Sequence, residues 1–151
     1  EAHYNLGLAL AQMGHLQEAI HELSEAISAN PSYLDARISL GLVLSQNSDP
    51  AGAANVYREI LKHNPGRAEI HNNLGLVLMQ MKDSTAEVAF KEALRLKPDY
   101  AEAHYNLALA LLQTGKKEES NSEFEKAYQL APHLRTTATA PPHSSRTPRK
   151  D

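Results

Sequence analysis

Eight histidines are the side chains best able to do chemistry here, and three of them, His3, His71 and His104, recur at matching places in related blocks. Zinc bound on one helix needs two ligands one turn apart, as in H-x-x-x-H or HExxH, so that both leave the same face. No such pair occurs. His71 and His104 meeting across neighbouring helices would supply two ligands, which do not make a site, and the three are read as partly buried structural side chains. With no Cys there is no thiol nucleophile, thiolate ligand or disulfide. No G-x-S-x-G elbow and no Gly-rich phosphate loop is present. The carboxylates are scattered over solvent faces, as is normal for a helical array. These absences point to a protein with no catalytic residues, no cofactor and no metal, and so not to an enzyme.

The remaining polar chemistry lies in amides at regular intervals. Asn5, Asn73 and Asn106 share one position, with Ser39 interrupting, and Gln12, Gln46, Gln80 and Gln113 share another. An amide donates and accepts at once, so a row of them suits the backbone of an extended chain. Beside them run Leu8, Leu42, Leu76 and Leu109. Aligned exposed leucines suggest a docking surface for an apolar or amphipathic segment, and the alternative is that they pack on the adjacent helix.

These residues need elements to position them, and the sequence repeats. Pro31, Pro65, Pro98 and Pro132 are separated by 34, 33 and 34 residues. Ahead of them stand Ala2-His3-Tyr4-Asn5-Leu6-Gly7, Ala36-Arg37-Ile38-Ser39-Leu40-Gly41, Ile70-His71-Asn72-Asn73-Leu74-Gly75 and Ala103-His104-Tyr105-Asn106-Leu107-Ala108. A fixed period of this length marks stacked supersecondary units. The units divide as 1–33, 34–67, 68–100 and 101–132.

Each unit reads as two helices. At 100° per residue Ala2, Leu6, Ala9, Leu10 and Met13 form one apolar stripe, expected to be buried, and Ala19, Ile20, Leu23, Ala26 and Ile27 form another. Gly14-His15, Ser48-Asp49-Pro50 and Gly115 break the two apart. Asp49 before Pro50 is expected to be an N-cap, and Ser84-Thr85-Ala86-Glu87 fits a capping box. The closing Pro stops the second helix. Gly7, Gly41, Gly75 and Ala108 are expected to face Ala19, Ala53, Ala86 and Ser120, with Leu23, Tyr57, Phe90 and Phe124 filling the space beside them.

This pattern of Leu-Gly, Ala, Phe/Tyr, Ala and Pro resembles the tetratricopeptide repeat family, four times over, across residues 1–132. The resemblance implies an all-α, right-handed α-α superhelix whose first helices line a concave face where partners lie. Family likeness assigns to that face Tyr4, Asn5, Leu8, Ala11 and Gln12 in the first unit. Ile38, Ser39, Leu42, Ser45 and Gln46 follow in the second, and Asn72, Asn73, Leu76, Met79 and Gln80 in the third. Tyr105, Asn106, Leu109, Leu112 and Gln113 complete it. The Asn row is similar to the asparagine ladder of O-linked N-acetylglucosamine transferase repeats, although Asn is common there throughout the family. Carboxylate-clamp arrays need Lys and Arg on this face, and none is present. The third unit departs from the pattern: it is one residue short and has Met81-Lys82-Asp83-Ser84 where a turn Gly is usual.

Composition sets the class of partner. The 151 residues are 42% hydrophobic and 22% charged, and no apolar run approaches the roughly 20 residues of a membrane span. Net charge is −3, made of −6 up to Pro132 (11 Lys+Arg, 17 Asp+Glu) and +3 beyond it. An acidic body lacks the clustered cations that phosphate contacts require, so neither nucleic acid nor membrane is expected as a partner. The expected partner is a protein or peptide segment that is neutral to basic or amphipathic, and the N-terminal edge offers self-association. The last unit carries Glu118-Glu119-Ser120-Asn121-Ser122-Glu123 where a further unit would dock, so the array is expected to end there, with more repeats upstream in a longer protein. Residues 133–151 are expected to be a disordered basic Ser/Thr/Pro-rich tail without a solvating helix. Alternatives in other classes are the substrate-positioning arm of a larger enzyme such as a glycosyltransferase, and a self-assembling array.

Overall fold

A computed structural model describes residues 1–137. Its helices are α1 (Ala2–Gln12), α2 (Leu16–Ala29), α3 (Leu34–Gln46), α4 (Pro50–His63), α5 (Ala68–Gln80), α6 (Ala86–Leu96), α7 (Ala101–Gln113) and α8 (Lys117–Leu130), then the single turn α9 (Leu134–Thr137). Among the described residues there is no strand. Each odd helix packs on the even helix that follows it, and each even helix packs on the next odd one. The odd helices α1 and α3, and α5 and α7, also touch directly.

Turn chemistry separates the two helices of each pair. Gly14 and Gly115 hold left-handed backbone at φ 82° and 79°. Ser48 and Lys82 take the same conformation at 62° and 56°, where a side chain costs about 1–2 kcal/mol. Asp49 caps α4 as expected, its Oδ1 accepting from the Gly52 N–H at 2.8 Å. That carboxylate explains Gly52, since a Cβ there would lie 2.3 Å from Asp49 Oδ2. The capping box at Ser84–Glu87 does not form. Thr85 instead donates its N–H and its hydroxyl to Asp83 Oδ1, at 2.9 and 2.7 Å, and Glu87 turns to Lys91 and Lys116. The Asp83 turn competes with the helix for those residues. α6 therefore runs 11 residues where α2, α4 and α8 run 14.

Close helix approach carries the core. A Cβ on Gly7 would lie 2.9 Å from Leu23 Cγ, one on Gly41 2.7 Å from Tyr57 Cε1, and one on Gly75 2.6 Å from Phe90 Cε1. In the fourth pair, where Ala108 replaces Gly, the buried Ser120 hydroxyl donates to Ala108 O at 2.7 Å. Ala53, Tyr57, Ile70, Phe90 and Leu111 belong to the largest buried cluster, which spans α4 to α7.

The stripe Ala2, Leu6, Ala9, Leu10 and Met13 is not buried, contrary to expectation: Leu6 is 48% and Met13 64% exposed. The equivalents of Ala2 and Leu6 in α5 and α7 (Ile70, Leu74, Ala103, Leu107) are buried because α4 and α6 cover them. Among the described residues no even helix covers the matching face of α1. The start of the C-terminal segment also differs from expectation, because Leu134–Thr137 is helical and Leu134 packs on the cluster of Ala108, Phe124 and Tyr128. Arg135 lies over the Tyr128 ring at 4.9 Å and reaches Glu125 at 3.2 Å. The rest of that segment falls outside the described residues.

Candidate functional site

The side chains assigned to the concave face divide by burial. Asn5, Gln12, Gln46, Gln80 and Gln113 are exposed, as are Leu42 and Leu112 at 45% and 46%. Half-buried positions are Tyr4, Leu8, Ile38 and Ser39 in the first two units, Asn73, Leu76 and Met79 in the third, and Tyr105, Asn106 and Leu109 in the fourth. Asn72 is buried, against expectation, and its Oδ1 accepts from Asn106 Nδ2 at 3.0 Å. The reason is the direct contact between α5 and α7, which closes over that position. Asn106, a member of the Asn row, therefore spends its Nδ2 on Asn72. The leucine stripe divides likewise: Leu42 is open, whereas Leu76 packs on the main core cluster and Leu109 on the C-terminal one.

Between α3 and α5 these residues enclose a cleft of about 240 Å³. Leu42, Ser45 and Gln46 form one wall, and Asn73, Leu76, Val77, Met79 and Gln80 the other. Ser45 Oγ donates to Gln80 Oε1 at 2.8 Å and ties the walls together. A single α4 side chain, Tyr57, completes the lining. Sequence reasoning placed Tyr57 in the core and missed its edge on the cleft. The available signal was the hydroxyl, since Leu23, Phe90 and Phe124 hold the equivalent position without one. Burial pushes the Tyr57 phenol well above its ordinary range, so it is a neutral O–H. A larger cleft of about 590 Å³ opens at the short third turn, lined among others by Met79, Gln80, Asp83, Glu87 and Gln113. The Lys116 and Lys91 hydrogen bonds hold the Glu87 carboxyl below its ordinary value, so it stands there as a paired carboxylate.

The histidines serve the joints. Arg37 Nε donates to Pro31 O at 3.0 Å, His71 Nε2 to Pro65 O at 2.9 Å and His104 Nε2 to Pro98 O at 2.9 Å. One basic side chain six residues past Pro31, Pro65 and Pro98 thus pins each of those linkers to the next odd helix. A sequence signal for this existed in that fixed offset. On its other side His104 Nδ1 meets Glu123 Oε2 at 2.5 Å, and His3 meets Glu22 at 2.7 Å. Burial works to raise the Glu123 carboxyl, but hydrogen bonds from Lys126 and His104 outweigh it and hold the group below its ordinary value. Among the described residues no group of three His, Cys, Asp or Glu side chains is placed to hold a metal ion. No helix among them is long and apolar enough to cross a membrane.

Models described as tetratricopeptide repeat match residues 1–33, 39–89 and 101–134, and a TPR repeat model matches 84–115. The chain belongs to the tetratricopeptide repeat family. This TPR chain is also similar to solved MamA structures. MamA MSR-1 is 26% identical at a TM-score of 0.74, covering 87% of this chain and 76% of that one. MamA AMB-1 is 25% identical at 0.75, covering 87% and 78%. MamA from Desulfovibrio magneticus RS-1 (41-end), 22% identical at 0.78 over 87% and 75%, shares the fold. No curated protein matches the sequence. The array is an all-α TPR solenoid and a protein-interaction scaffold, the role its family fills.

Proposed function

We propose that residues 1–132 act as four TPR units whose odd helices bind one extended polypeptide segment, neutral to basic or amphipathic, without catalysis. The α3–α5 cleft carries this reading. It brings Leu42, Gln46, Asn73, Leu76, Met79 and Gln80 to one concavity of about 240 Å³. Apolar walls rimmed by neutral amides suit a side chain held beside a peptide backbone. Nucleic acid would meet no cation in that lining, and neither would a strongly anionic segment.

Leu42 and Leu112 are the side chains to change, because both are open and neither is a core contact. Leu76 packs on the core, so a charge there would confound binding with folding. Peptides selected from a random dodecapeptide library against the full chain provide the probe. The variant Leu42→Glu/Leu112→Glu is expected to keep its helical circular dichroism and melting temperature, and to bind those peptides at least about tenfold more weakly, as for loss of one apolar anchor. Unchanged affinity would remove the odd-helix face as the binding surface.

A second reading has its own observation. Leu6 and Leu10 line a cleft of about 470 Å³ with Gln17, Glu18, His21 and Glu22, beside the exposed Met13. An apolar edge of this kind suits another helix pair, including that of a second copy. No observation favours the substrate-positioning arm of an enzyme.

A further inference from the structure

We propose that the larger cleft at the third turn is a second anchor pocket of the groove, and that it takes a large aromatic side chain, Tyr or Trp, of the bound segment. The inference rests on the groove reading above and adds to it a pocket and the residue class that fills it.

The repeat identifies the cleft. Met79, Gln80, Ala110 and Gln113 line it, and they are the equivalents of Ser45, Gln46, Val77 and Gln80 in the α3–α5 cleft, each 33 or 34 residues further on. It is the same kind of opening one unit along, between α5 and α7. Met79 and Gln80 line both clefts, so the two are neighbours on one surface.

Its size has a cause in this chain. α2, α4 and α8 begin three residues before Ala19, Ala53 and Ser120, whereas α6 begins at the equivalent Ala86 itself. Residues 83–85 form the Asp83–Thr85 turn in place of a first helical turn. Lys82, Asp83 and Ser84 thereby enter the lining, whereas no turn residue lines the α3–α5 cleft. Ala110 also stands where that cleft has the larger Val77. The outcome is about 590 Å³ against about 240 Å³. An aromatic ring covers more of so wide a floor than Leu or Val can.

Charge and chemistry select the same occupant. Glu87 gives its two oxygens to Lys91 and Lys116, and Asp83 accepts twice from Thr85 and feels the Arg58 charge. Lys82 is exposed beside them. An ammonium entering the cleft would meet these cations, and a carboxylate would meet Asp83 and Glu87. An uncharged side chain meets neither cost. Met79 offers a thioether, which favours aromatic contact, and the exposed Ser84 and Gln113 offer uncharged hydrogen-bonding groups to a phenol or indole edge. The two clefts flank α5, and packed helices lie roughly 8–10 Å apart. Extended chain advances about 3.3 Å per residue, so the ring is expected about three residues from the side chain in the α3–α5 cleft.

The test uses the full chain and the library-selected dodecapeptides. These are expected to share one Tyr or Trp, and replacing it with Leu is expected to weaken binding about tenfold, as for a buried aromatic anchor. Ala110→Val narrows the cleft with the residue native to the equivalent positions in α3 and α5, Val43 and Val77. It is expected to weaken the aromatic peptide about fivefold through overpacking and the Leu-substituted one less than twofold. If Ala110→Val loses its helical circular dichroism, Gln113→Trp, at an exposed position on the same cleft, carries the same expectation. Selected peptides that share no aromatic residue, or the same change in affinity for both probes, would overturn the inference, while a loss in Leu42→Glu/Leu112→Glu keeps the groove. If that double variant binds as wild type does, the groove reading fails and this inference with it.

Discussion

Phe90→Ala is expected to lower the unfolding free energy by about 3–5 kcal/mol, the usual loss for a large aromatic removed from a close-packed interior. Phe90 is fully buried in the cluster that joins α4, α5, α6 and α7, so the cavity would open where four helices meet. Nothing nearby fills it cheaply. On the α5 side the neighbour is Gly75, which has no side chain to move in, and on the α6 side Ala86 and Ala93 are small and buried. Urea unfolding followed at the helical circular dichroism band measures the loss. A midpoint equal to wild type would mean that the pairs do not stack around this ring.

Gly75→Leu tests the same contact from the other wall and is expected to cost about 1–3 kcal/mol through overpacking. An added Cβ would lie 2.6 Å from Phe90 Cε1 and 2.7 Å from Cδ1, closer than real side chains approach. The ring is enclosed and cannot swing into solvent, so the two helices must separate or Phe90 must leave its rotamer. An unchanged melting midpoint for this variant would argue against the helix-pair geometry. The two substitutions touch one contact, so their costs are not expected to add.

Much of this fold was legible because the repeat enforces it. Proline spacing, the small residue after each leucine and the bulky residue opposite fix both the helix breaks and the faces that meet. The small partners expected for Gly41 and Gly75, Ala53 and Ala86, are not their nearest neighbours, because the Tyr57 and Phe90 rings lie over those glycines. Edges were not legible in the same way. Leu6 and Met13 follow the apolar pattern of buried residues in later units, yet burial depends on a neighbour that the pattern of one helix does not contain. The α6 cap failed for a related reason. Ser84 and Glu87 satisfy the motif, but Asp83 offers a competing turn and Lys116 a competing partner for Glu87, and the second lies in another unit.

The groove was legible in outline, and its chemistry only in part. Helix periodicity sets two faces of each odd helix apart. It does not show that α5 and α7 touch closely enough to bury Asn72, or that Leu76 and Leu109 are half-covered by neighbouring clusters. Tyr57 belongs to an even helix, and a wheel assigns it wholly to the core. Only the third dimension shows that the residue also borders the cleft.

The central claim is that a visiting segment lies along the odd helices, and side-chain NMR during titration with a selected dodecapeptide addresses it directly. The account predicts that the largest shifts fall on the methyl groups of Leu42, Leu76 and Met79 and on the Tyr57 ring. Little change is expected at exposed methyl groups of the even helices, such as Ala29 in α2 and Val88 in α6. Shifts concentrated on those even helices, with Leu42 unmoved, would contradict it.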